Sequence, residues 1–280
     1  MFGNSDDRRG KRDLDREFEQ GGPDRRAFGG RDDYDYGNHG YNAGQQGPVA
    51  YGVHDREMEE RSAVYIAKVM GWMCVGLLTT VVTAMAAITI PALATFVMDA
   101  FFILAIAQII LVLVLSAMIQ RISPATAVVM FMVYSGMMGL IISEFVFMFD
   151  LSSLILAFSV TSFMFLSMAA YGFITKKDLT TVGNLARFGL FAIIIAMIVN
   201  IFLRSPMLHF VVTIVGVLVF IGLIAYDTQF IKSNYQMAMA EGYDEYSDEV
   251  RKLAIIGALK LYLSFINLFI RLLILLGRRR

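Results

Sequence analysis

One acid stands inside an apolar run. Asp227 lies within Val211–Ile231, in the string Ala225-Tyr226-Asp227-Thr228-Gln229. An ionisable group at membrane depth costs about 2.5–3.5 kcal/mol on insertion scales. A chain keeps such a group mainly where it pairs, titrates or meets an ion. A second polar set follows in the last apolar run. Lys260, Ser264, Asn267 and Arg271 recur at i, i+4, i+7 and i+11, which puts all four on one helix face. A polar stripe on a spanning helix faces the bundle interior. The plainer account of the same spacing is two snorkelling cations and two ordinary interhelical hydrogen bonds. Glu144, in Ser143-Glu144 near the outer end of the third run, is a weaker candidate.

The rise of 1.5 Å per residue fixes relative depth. Asp227 lies near the end of the sixth run, and Ser264 lies one turn inside Lys260. On antiparallel neighbours the two come to similar depth. Lys260 and Arg121 enter from the same end, so both are expected cationic partners of Asp227. Three chemistries fit a buried acid so placed: a static ion pair, a proton-linked latch, and contact with a permeating cation. One carboxylate is far short of the six to eight oxygens that Ca2+ takes. No metal site is therefore certain. The one cysteine, Cys74, and three scattered histidines form no disulfide framework or Cys/His cluster.

These residues need helices to position them. The chain has 280 residues, 57% of them hydrophobic, with mean hydropathy +0.62. Residues 1–63 are polar, and 64–280 form a series of apolar runs. Seven runs, near 64–90, 99–119, 124–147, 152–175, 187–203, 207–231 and 254–277, approach the length of about 20 residues that spans the hydrocarbon. Helices are the default, because a spanning segment must satisfy its own backbone. The expected fold is an all-α membrane protein, a seven-transmembrane helix bundle with a disordered N-terminal arm. We place the arm at 1–55 and the membrane domain at 56–280. Residues 1–52 hold eleven glycines and mixed charges, too little apolar area to offset ordering entropy. The longest connection is expected at 232–253. The spacing Ser135-xxx-Gly139-xxx-Ser143 reads as a ridge for close helix packing.

Charge sets the expected orientation. Arg56, Arg61, Arg121, Lys176, Lys177, Arg187, Lys232, Arg251 and Lys252 fall on one side. The N-terminus is then cytoplasmic. Seven full spans put Arg278-Arg279-Arg280 outside, against the charge rule; a re-entrant last segment would keep them inside. Zero net charge gives no steering toward nucleic acid. No G-x-S-x-G, H-E-x-x-H or P-loop string occurs. We expect no enzyme, no cofactor and the lipid bilayer as the main partner.

The strings Ala225-Tyr226-Asp227-Thr228-Gln229 and Leu261-Tyr262-Leu263-x-Phe265-Ile266-Asn267-Leu268-Phe269 resemble the Bax inhibitor-1 (transmembrane Bax inhibitor motif) family. Gly71-Trp72-Met73, Arg121-x-Ser123-Pro124 and Tyr171-Gly172-Phe173-xxx-Lys177-Asp178-Leu179 add to the likeness, which is closest to the bacterial branch. The resemblance implies a seven-helix bundle around a buried seventh helix. It also implies a pH-sensitive calcium leak in the inner membrane, with Ca2+ as the permeating ion. A pair of aspartates forms the pH sensor in that branch. Asp227 matches the first, and Ser264 stands where the second would be. That departure leaves Asp227 to pair with Lys260 or Arg121. Some relatives act instead as modulators of a membrane protease. A scaffold for a membrane protease or stress-response complex is therefore the second reading.

Overall fold

The computed structural model describes residues 48–118 and 121–278. Seven helices follow one another: α1 (Pro48–Thr89), α2 (Pro91–Met118), α3 (Pro124–Met148), α4 (Leu151–Ile174), α5 (Thr180–Leu203), α6 (Pro206–Ala240) and α7 (Asp248–Leu276). Each is long and apolar enough to cross a membrane.

Local chemistry places the breaks. Ile90 alone separates α1 from α2, because Pro91 cannot donate to the preceding turn and opens the next helix instead. Ser123 and Ser205 cap α3 and α6, each ahead of a proline at the first helical position. Their hydroxyls accept from Thr126 N at 3.2 Å and Leu208 N at 3.3 Å. Arg204 closes α5 in the left-handed region at φ 49°. Ser247 caps α7, and Asp248 and Glu249 follow in its first turn, where their charge complements the helix dipole.

The seventh helix is the axis of the bundle. It packs against α6, α1, α4 and α3, and 67% of its most apolar stretch is buried, against 11% for α2 and α5. Tyr262 is fully buried at its centre, with its hydroxyl 2.6 Å from Thr80 Oγ1 of α1. Thr80 Oγ1 also donates to Ser135 O of α3. The small-residue ridge works as expected: a Cβ on Gly139 would strike Thr83 Oγ1 and Thr80 O of α1. The peripheral helices carry large apolar side chains outward, such as Phe102 and Phe202, as hydrocarbon requires.

Four boundaries correct the sequence reading. The second helix starts at Pro91, not 99; one residue suffices for the turn. The fifth starts at Thr180, not 187. Asp178 accepts from Thr180 N at 2.8 Å and from Thr180 Oγ1 at 2.6 Å, and so fixes an earlier start. The Thr180 hydroxyl and then its amide hold the Asp178 carboxyl below the usual aspartate range. The sixth runs on to Ala240, so the connection expected at 232–253 shrinks to 241–247. The first begins at Pro48, so 48–55 are helical; the rest of the arm placed at 1–55 lies outside the described residues.

The last segment crosses the whole bundle. Arg278 N donates to Ser153 Oγ at 2.9 Å, and Asp150 N donates to Arg278 O at 3.3 Å. Residue 278 therefore lies at the α3–α4 connection, opposite the α6–α7 hairpin.

Candidate functional site

The polar stripe of α7 lies against α6. Ser264 Oγ donates to Asp227 Oδ2 at 3.5 Å, with both residues buried. One turn toward the hairpin, the Lys260 ammonium sits 4.0 Å above the Phe230 ring. Near the other end, Arg271 lies on Gly216, donates to Val212 O at 3.4 Å and stacks over Phe220 at 5.4 Å. Its Nε is buried without a partner. Asn267, between them, donates to Leu263 O of its own helix at 2.8 Å. Antiparallel pairing produces this order: 230 meets 260, 227 meets 264, and 216 meets 271.

The structure assembles part of the expected set and not the rest. Lys260 acts on Asp227 through its charge but closes no contact ion pair. Its stem is long enough to lay the ammonium on Phe230 instead. The ion pair found among the described residues is Lys232 with Glu59, at 3.6 Å. Arg121 is exposed beyond α2, a helix that packs mainly on α3 and α1. The second cation acting on Asp227 is Arg187 of α5. It donates to the Tyr226 hydroxyl, and its guanidinium lies 4.8 Å from the centre of that ring. Sequence marks Arg187 only as a topology charge, because a fifth helix starting at 187 leaves it at the membrane edge. Counted from Thr180, it sits two turns inside α5. Glu144 is part-buried near the far end of α3, the opposite end of the bundle from Asp227.

The helices around Asp227 are tightly fixed. Gln229 Oε1 accepts from Leu179 N and its Nε2 donates to Lys177 O, both at 2.8 Å, so α6 holds the α4–α5 connection. Lys232 donates to Phe173 O at 3.1 Å. A Cβ on Gly183 would strike the Tyr226 ring. From the hairpin end, a cleft of about 460 Å³ and a small cavity of about 20 Å³ share Asn234, Leu253 and Ile256. The small cavity has Lys260 in its wall and is large enough for a single water. Among the described residues no three His, Cys, Asp or Glu side chains converge on a metal-sized space.

A bundle of seven helices, each long and apolar enough to cross a membrane and one of them a polar-striped central helix, is a polytopic α-helical membrane protein. Residues 62–280 match the family described as "Inhibitor of apoptosis-promoting Bax1", and the chain belongs to this Bax inhibitor-1 family. It is 44% identical over 220 residues to "Inner membrane protein YbhL" of Escherichia coli K12, covering 77% of this chain and 92% of that one. An uncharacterized protein of Borreliella burgdorferi is 38% identical over 219 residues, with 77% and 92% covered. One of Rickettsia prowazekii is 36% identical over 228 residues, with 81% and 94% covered.

Proposed function

We propose that the protein is a cation leak channel, with Ca2+ as the permeating ion and Asp227 as its latch. It acts in the inner membrane with its N-terminus in the cytoplasm, and it performs no enzymatic step. The observation that carries this reading is the buried Asp227 carboxylate, hydrogen-bonded by Ser264 and flanked by the charges of Lys260 and Arg187. A buried acid with such partners holds three helices in register. A buried charge also makes the arrangement two-state, because removing it leaves its partners unsatisfied. The water-sized cavity at Lys260 and the cleft beyond it supply an approach from the hairpin end. In the closed state the path stops there. Protonation of Asp227, or exchange of its partners, releases α7 from α6 and opens the path.

Calcium flux into vesicles holding purified Asp227→Asn tests this. The latch reading expects higher flux than wild type. Abolished flux in a folded, inserted variant would instead make Asp227 a contact for the permeating ion. Unchanged flux would make it structural and remove both versions.

A further inference from the structure

α1 and α4 both pack on α7 but not extensively on each other. Between them, in the half of the bundle nearer the C-terminus, lies an apolar crevice of about 330 Å³. Val81 and Met85 of α1 form one wall, Ile155 and Phe158 of α4 the other, and Phe265 and Phe269 of the central helix the floor. The four wall residues are largely exposed. Here the central helix is reachable from the side of the bundle, through a gap whose one polar lining residue, Thr80, has its hydroxyl tied to Tyr262 and Ser135. An apolar gap of this kind stays dry, so in a bilayer hydrocarbon fills it.

The crevice has a charged mouth. Leu151 and Leu154, on the first turn of α4, line it. Between them Ser153 accepts from Arg278 N, and Asp150 N donates to Arg278 O. The exposed Arg278 is thus anchored by its backbone at the level where a chain in the crevice would join its headgroup, with Arg279 and Arg280 next in sequence. Asp150 is the acid at this mouth.

We propose that the crevice binds one anionic phospholipid, with an acyl chain on Phe265 and Phe269 and its phosphate on Arg278. Arginine suits the task, since its fork matches phosphate and it is always charged. The chain lies against α7 one residue from Ser264, so occupancy bears on the face of α7 beside the one that meets Asp227.

The test counts lipids retained by the purified full chain in detergent, by native mass spectrometry, with phosphatidylglycerol or phosphatidylcholine of identical chains. Wild type is expected to retain a single lipid copy, with phosphatidylglycerol preferred about fivefold, the factor that one arginine near an anionic headgroup supplies. Arg278→Gln should erase that preference, and Arg204→Gln, at the α5–α6 connection, should leave it. Ile155→Trp and Val81→Trp fill the crevice from opposite walls, and each should lose the retained copy of either lipid. If one of them fails to fold, judged by thermal unfolding, the other carries the test. A smooth distribution of lipids with no distinct single copy, or retention unchanged in the tryptophan variant that folds, overturns the proposal. So does a dimer in wild type that the tryptophan variants abolish, which would give the crevice to a second copy.

Discussion

The Ser264 hydroxyl reaches the Asp227 carboxylate across 3.5 Å, at the point where the central helix passes the sixth. Among the described residues, this contact joins the only pair of buried polar side chains that hydrogen-bond to each other across α6 and α7. It sets the first two expectations.

Asp227 and Lys260 should behave as one unit in calcium flux. Asp227→Asn is expected to raise flux about tenfold, the factor that about 1.4 kcal/mol gives. That is near the worth of a hydrogen bond to a charged group. Lys260→Met should raise flux less, because its ammonium works at a distance from its seat on Phe230. The double variant should fall short of the product of the two. Strictly multiplicative effects in the cycle would separate the two residues and end the latch account.

Ser264→Asp should install steep pH dependence. Two carboxylates about 3.5 Å apart do not both ionise readily and come to share a proton. Wild type, with a single carboxylate there, is expected to change flux less steeply than the variant between about pH 6 and 8, where the variant should change more than about tenfold. Flux in vesicles clamped at several pH values decides. A wild type already as steep as the variant would place the sensor at another acid.

Reporters fused at residues 180 and 280 should lie on opposite sides of the membrane. Leu179 is tied to Gln229 near the hairpin end, and Arg278 is tied to Ser153 at the other. Protease protection of both reporters from the same side would contradict seven full crossings. The cytoplasmic reporter should be the one at 180, from the Lys/Arg distribution.

Two glycines should respond in opposite directions. A Cβ on Gly172 would strike Ala225 O, a backbone atom that cannot step aside. Gly172→Ala should destabilise by about 1–3 kcal/mol, prising α4 from α6 two residues from Asp227. A Cβ on Gly71 would meet nothing within 4 Å, and Gly71→Ala should stabilise by about 0.5–1 kcal/mol. Thermal unfolding in detergent reads both, and equal effects would mean that α4 and α6 approach each other less closely than the structure has them.

The spans were legible because hydropathy is a local signal, though the start of the second at Pro91 was not read from it. The depth match of Asp227 and Ser264 was legible because helical rise is fixed. What sequence could not supply was rotation about each helix axis and the path of long side chains. The Lys260 ammonium lies over Phe230 rather than on the acid for that reason. Arg121 failed as a partner because depth says nothing about which helices are neighbours. Arg187 was hidden behind residues 180–186, where Thr180, Thr181, Gly183 and Asn184 break the apolar run and whose helical start depends on the Asp178 side chain. The extension of α6 to Ala240 was missed because membrane thickness ends a hydrophobic run without ending the helix.

That extension has a mechanical side. At 1.5 Å per residue, Pro206–Ala240 is a rod of about 52 Å, and the hydrocarbon takes up only about 30 Å of it. The rest stands clear of the bilayer as a handle. No break interrupts the helix between Ala240 and Asp227. A torque applied at the hairpin by a bound protein is therefore carried along the helix toward the Asp227 carboxylate, with Lys232 and Gln229 as the bearings it must overcome.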